Sequence, residues 1–210
     1  MSGLEVISAL SGVVGILDVT IRVSRAIKDS RNLPQAFREV EGTLPLIQDT
    51  LRTASARLSQ AKEDADSSSA NTWESIGPAV QRCKGKAEQL KKIMQGMELE
   101  PDAARLKRYH RAIRALGRGG LVEELLKGMA EDAQLIAANH AIKAATEGRV
   151  DALRKAIEDL SKVPQSAPTT LFAHQGAVNQ FNNTGTGTQN NNTGDGKQFI
   201  AATINFGYGW

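Results

Sequence analysis

Five stretches of this chain place apolar residues at alternating steps of three and four, a spacing that an α-helix gathers onto one side. The clearest runs Phe37, Val40, Leu44, Ile47, Leu51, Ala54, Leu58, and the next Ile76, Val80, Cys83, Ala87, Leu90, Met94, Met97. Leu106, Tyr109, Ile113 and Leu116 form a shorter stripe. Val122, Leu126, Met129, Ala133, Ile136 and then Val150, Leu153, Ile157, Leu160 complete the set. Breakers fall between the stripes: Asn32-Leu33-Pro34, the polar stretch 64–71, Gly96 with Glu100-Pro101, and Gly117 with Gly119-Gly120. Pro78 is expected near the start of its helix, where a missing N–H costs little; Pro45 falls inside the second helix and is expected to kink it. The stripes predict an all-α multi-helix bundle over residues 1–164.

The pattern stops near Pro164. Residues 165–210 hold two charged side chains, Asp195 and Lys197, against seven Asn, seven Thr, seven Gly and five Gln. They also hold six of the nine aromatic residues: Phe172, Phe181, Phe199, Phe206, Tyr208 and Trp210. Within them lies a repeat of nine. Gln180-Phe181-Asn182-Asn183-Thr184-Gly185-Thr186-Gly187-Thr188 is followed by Gln189-Asn190-Asn191-Asn192-Thr193-Gly194-Asp195-Gly196-Lys197, and Gln198-Phe199 opens a third unit. The matched positions are Gln180/Gln189, Asn182/Asn191, Asn183/Asn192, Thr184/Thr193, Gly185/Gly194 and Gly187/Gly196. Amides repeated one rung apart can ladder their side-chain hydrogen bonds, Thr favours extended backbone, and Gly supplies turns. Ile200, Ala202, Ile204 and Phe206 alternate with Ala201, Thr203 and Asn205, a strand pattern. So short a tail cannot bury itself. The expectation is a tail disordered in the monomer that forms cross-β structure on assembly with other copies. A flexible linker needs no register of nine. A calcium-binding nonapeptide needs an Asp in each unit, and these units hold only Asp195.

Composition narrows the function classes. Cys83 is the one cysteine, so no internal disulfide forms; no cleavable signal peptide is evident, and a reducing interior is expected. Three His and one Cys are too few for a structural zinc site. The run 6–17 is too short for a bilayer span of roughly 20 residues, and Ser2 stands where myristoylation needs Gly. The net charge of +3 is too weak to establish a partner.

Three features of the body bear on function. The opening stretch 3–28 is apolar almost all round at its start, through Leu4, Val6, Ile7, Leu10, Val13, Val14, Ile16 and Leu17. Such a helix is either buried at a core or able to enter a membrane. Gly12 and Gly15 in it allow another helix to approach closely. Second, Arg105, Lys107, Arg108, Arg111, Arg114 and Arg118 make a basic run with no acid between Asp102 and Glu123. Opposed to the Leu106–Leu116 stripe, it forms a basic amphipathic helix that suits an anionic membrane surface or simply faces solvent. Nucleic acid is not expected as a partner, because Tyr109, the aromatic among the basics, lies on the apolar stripe. Third, His110, His140 and Cys83 are the candidate bases and nucleophile. They fall on separate helices without a phosphate loop or metal-ligand spacing, so no enzyme, cofactor or metal is expected.

The stretch GLEVISALSGVVGILDVTIRVSRAIKDSRNLPQAFREVEGTLPLIQDTL, with RYHRAIRALGRGGLVEELLKGMAEDAQLIAANHAIKAA, resembles the SesA domain found at the N-terminus of fungal Nod-like receptors with NACHT-type NTPase modules. That likeness covers residues 3 to about 163. QFNNTGTGTQNNNTGDGKQF resembles the fungal sigma amyloid motif, with Asn190 departing from the Phe of its neighbours Phe181 and Phe199. The resemblance implies a receptor with a matching sigma motif, itself another protein, that templates this tail into homotypic amyloid. By analogy with the HeLo-like helical domains it implies action at the plasma membrane and cell death. A cytoplasmic resting state and a plasma-membrane active state follow. The alternative is a non-lytic adaptor or prion-like regulator, with the stripes of the second and third helices as surfaces for a protein partner.

Overall fold

The structure, a computed structural model, describes residues 3–27, 33–63, 69–139 and 142–172. Among them the chain is all-helical, with no strand. The helices are α1 (Gly3–Ile27), α2 (Ala36–Glu63), α3 (Ser69–Glu98), α4 (Asp102–Leu116), α5 (Val122–Ala137) and α6 (Lys143–Leu160). Short 3-10 turns follow α4 at Arg118–Gly120 and close the described chain at Thr169–Phe172.

Each sequence stripe becomes an inner face. Val40, Leu44, Ile47, Leu51, Ala54 and Leu58 of α2 are fully buried, as are Val80, Cys83, Ala87, Leu90 and Met97 of α3. These two stripes are core, so they are not the partner surfaces that the adaptor reading assigned to them. Pro78 lies well inside α3 rather than near its start, because the helix begins at Ser69, within the polar stretch expected as a loop. Pro45 lies inside α2. Each removes one rung of the backbone ladder.

α5 sits among α2, α3 and α6, and α1 packs on α3 and α2. A buried carboxylate stitches α5 to α3: Asp132 accepts from Arg82 Nε at 2.9 Å and from Lys86 Nζ at 2.6 Å. Lys86 Nζ also donates to the Gly128 carbonyl at 3.1 Å. Thr146 on α6 donates to the Ala137 carbonyl at 2.6 Å, tying the turn between α5 and α6. The compact unit runs through Phe172, beyond the boundary expected at 164, with Ser166 and Ala167 buried. The repeat from Gln180 to Phe199 lies outside the described residues, and so does the cross-β expectation placed on it.

Candidate functional site

Val6, Ile7, Leu10, Val13, Val14 and Leu17 are the residues that membrane entry would use, and α1 divides them. Val6, Leu10, Val13 and Leu17 are fully buried, stepping by four and three, whereas Ile7 and Val14 are half-buried. Ala9, Ile16 and Val19 are likewise half-buried, and Leu4 is 63% exposed. A Cβ added to Gly12 or Gly15 would meet no atom of the described residues within 4 Å, so among those residues neither glycine makes the close helix contact that the sequence allowed. Gln48 of α2 holds the helix by donating to the Val14 carbonyl at 3.2 Å. Asp18 pairs with Arg22 one turn on, at 3.3 Å. α1 is long and apolar enough to cross a membrane.

α4 has two faces. Tyr109 and Ile113 are fully buried and Leu106 is half-buried, while Leu116 at the end of the stripe is 40% exposed. Lys107, Arg108, Arg111 and Arg114 on the helix, and Arg118 just beyond it, are exposed; Arg105 is half-buried. Arg114 lies in the last turn, where a cation complements the helix dipole. Gly117 ends the helix at φ 72°, a region that disfavours side chains, and its N–H donates to the Ile113 carbonyl at 2.8 Å. A Cβ on Gly120 would collide with Leu116. These glycines turn the chain directly from the basic helix into α5.

A buried polar network that the sequence did not announce joins α4, α5 and the segment after α6. The Tyr109 hydroxyl accepts from the Val122 N–H at 3.3 Å and shares a hydrogen bond with Ser166 Oγ. The Ser166 N–H donates to Glu123 Oε1 at 2.8 Å, while Glu123 Oε2 is buried with no hydrogen-bond partner among the described residues. The Phe37 ring meets Tyr109 edge-on at 5.0 Å. Burial pushes the Tyr109 phenol up to about 12; the bonds with Ser166 and Val122 work against that shift, and Glu123 adds to it. One signal for the network was available: a Tyr on an apolar stripe carries a hydroxyl that must find a partner when buried.

The candidates for chemistry stay apart from any such arrangement. Burial raises the Cys83 thiol to about 12, with Asp132 adding to the shift and Lys86 opposing it, so its reactive thiolate is scarce. His110 is lowered from its ordinary value by burial and then by Arg114. His140 lies outside the described residues. Among the described residues no three His, Cys, Asp or Glu groups gather as a metal site.

Comparison with known families adds two matches. The model of SesA, an N-terminal domain on NACHT NTPases and P-loop NTPases, matches residues 10–136. The model of the sigma domain on NACHT-NTPases matches residues 169–207, which include the nine-residue repeat and the turn Thr169–Phe172. No curated protein and no solved structure matches the chain.

Proposed function

The chain belongs to the SesA family, whose model covers more than half of it, and from that membership we propose that it is an effector of fungal programmed cell death, of the heterokaryon-incompatibility and innate-immunity type. The observation that carries this reading is the pairing, on one chain, of two NACHT-associated signalling domains. In the resting state the protein is cytoplasmic. A Nod-like receptor bearing a matching sigma motif clusters on sensing its ligand. Its motifs template residues 180–199 of this chain, where Gln, Asn and Thr recur every nine residues. Growth of that amyloid gathers many bundles at one place and raises their effective concentration.

The plasma membrane is then the target. The outward basic face of α4 is drawn to anionic lipid, with about 1 kcal/mol for each Lys or Arg near the surface. α1, at ~1.5 Å per residue, is about 38 Å long, enough for a hydrocarbon core of ~30 Å. A charge at the centre of that core costs roughly 2.5–3.5 kcal/mol, which the Asp18–Arg22 pair lowers by travelling together.

The test is dye release from anionic liposomes by the full-length protein, with and without preformed fibrils of residues 165–210. Release that requires the seeds supports the effector. Conversion of the protein with intact vesicles moves the reading to a non-lytic adaptor, whose partner surface then has to be sought outside the buried stripes of α2 and α3.

A further inference from the structure

The turn Thr169–Phe172 belongs to two things at once. Leu171 and Phe172 pack against the core of the bundle, and the Leu171 N–H donates to the Pro168 carbonyl at 3.0 Å. The same four residues open the stretch matched by the sigma model. Were assembly of the motif to draw these four residues into extended backbone, they would have to leave the 3-10 turn, since the two demand different backbone angles. Just before the turn, Ser166 and Ala167 are each 3% exposed, and Ser166 is gripped on both its hydroxyl and its N–H by Tyr109 and Glu123.

We infer that residues 166–172 are a fastening shared by the bundle and the tail motif, and that Tyr109 and Glu123 transmit its release to the basic helix α4. This rests on the reading of the tail as an assembling motif. Withdrawal of Ser166 leaves the Glu123 carboxylate, whose Oε2 already lacks a hydrogen-bond partner among the described residues, without its Ser166 contact. It also strips the Tyr109 hydroxyl of one of its two partners. Buried polar groups tolerate that loss poorly, and the relief open to Tyr109 is to turn toward water, carrying α4 away from Phe37 and from α5. The tail therefore does more than gather bundles. Its assembly loosens the helix that presents Lys107, Arg108, Arg111 and Arg114.

Hydrogen–deuterium exchange on the soluble full-length chain tests the coupling without any assembly. Ser166→Ala changes nothing on α4, yet it is expected to speed exchange about fivefold in peptides over 102–117 as well as in those over 166–172, with α1 and α2 unchanged. Tyr109→Phe removes the hydroxyl whose relief moves α4, so it should speed exchange over 166–172 and leave 102–117 near the native rate. Acceleration of Ser166→Ala confined to 166–172, or an equal acceleration over 102–117 in Tyr109→Phe, overturns the inference. In a second arm, seeding the native chain with fibrils of residues 165–210 should strip protection from both regions together. Seeded conversion that leaves both regions protected also overturns it. If seeds convert nothing, the assembling tail is what fails, and the soluble variants alone decide the fastening.

Discussion

Of the 25 residues of α1 nine are buried, whereas α5 buries eleven of its 16, although α1 is the more apolar helix by composition. α5 has neighbours on several sides, α2, α3 and α6, and even its Asp132 and Glu123 are enclosed. α1 lies against α3 and α2 alone among its main partners and keeps apolar side chains such as Leu4, Ile7, Val14 and Ile16 at or near the surface. Enclosure follows the number of neighbours, not hydrophobicity. Under the proposed function that apolar excess is the surface α1 offers a bilayer; α5 has little of it, with Leu135 the large apolar side chain most exposed there.

The largest expected effect tests the part that the two helices share. Val13→Asp on α1 and Met129→Asp on α5 each put an uncompensated charge at a fully buried position, and each should cost more than about 3 kcal/mol by urea unfolding. A mild effect of Val13→Asp would mean that α1 is not seated in the core. Asp132→Ala probes α5 alone. Losing a carboxylate bonded to Arg82 and Lys86 should cost roughly 1.5–3 kcal/mol, with no counterpart on α1.

Alkaline pH acts on the α3–α5 contact as well. Cys83 is raised from 9.0 to about 12 in the folded chain, so the fold holds this proton more tightly than the unfolded chain does. The resulting stability is fully present below pH 9, declines above it and is gone past pH 12. The urea midpoint should fall between pH 8 and pH 10.5, and Cys83→Ala should flatten part of that fall. A midpoint that does not move would show that Cys83 is not protected as its position between α3 and α5 implies.

The smallest effect on stability carries the most functional weight. Val14→Lys, at a half-buried site where a long side chain reaches water, should cost about 1 kcal/mol and leave the bundle folded. Under the proposed function it abolishes seeded dye release without stopping fibril growth. Release that persists would remove α1 from the membrane step. A charge at Val13 cannot separate these outcomes, because Val13 is core.

Much of this was legible beforehand. Steps of three and four marked the inner faces of α2, α3 and α5, and the structure buries those residues nearly without exception. The outward position of Lys107, Arg108, Arg111 and Arg114 followed from their place opposite Tyr109 and Ile113, whereas Arg105 is half-buried. Less legible was the start of α3. Ser69 and Asn71 are weak helix formers within a polar stretch that reads as a loop, yet α3 begins there and its next residues bring Trp73 against the core. The extension to Phe172 was missed because Pro164 and Pro168 read as a linker, while Ser166 between them is held by residues far away in the chain.

By itself the sequence determined that this protein is helical through its body, that its character changes near Pro164, and that its tail repeats with a register of nine. Those are properties of local order, in which periodicity alone chooses the backbone that can gather apolar residues. The tertiary structure alone decided that α5 rather than α1 is the most enclosed helix, and that Val13 is sealed while Val14 is not. It also decided that Tyr109 and Glu123 grip Ser166 across the chain. Burial belongs to pairs of surfaces, so no single stretch of sequence contains it.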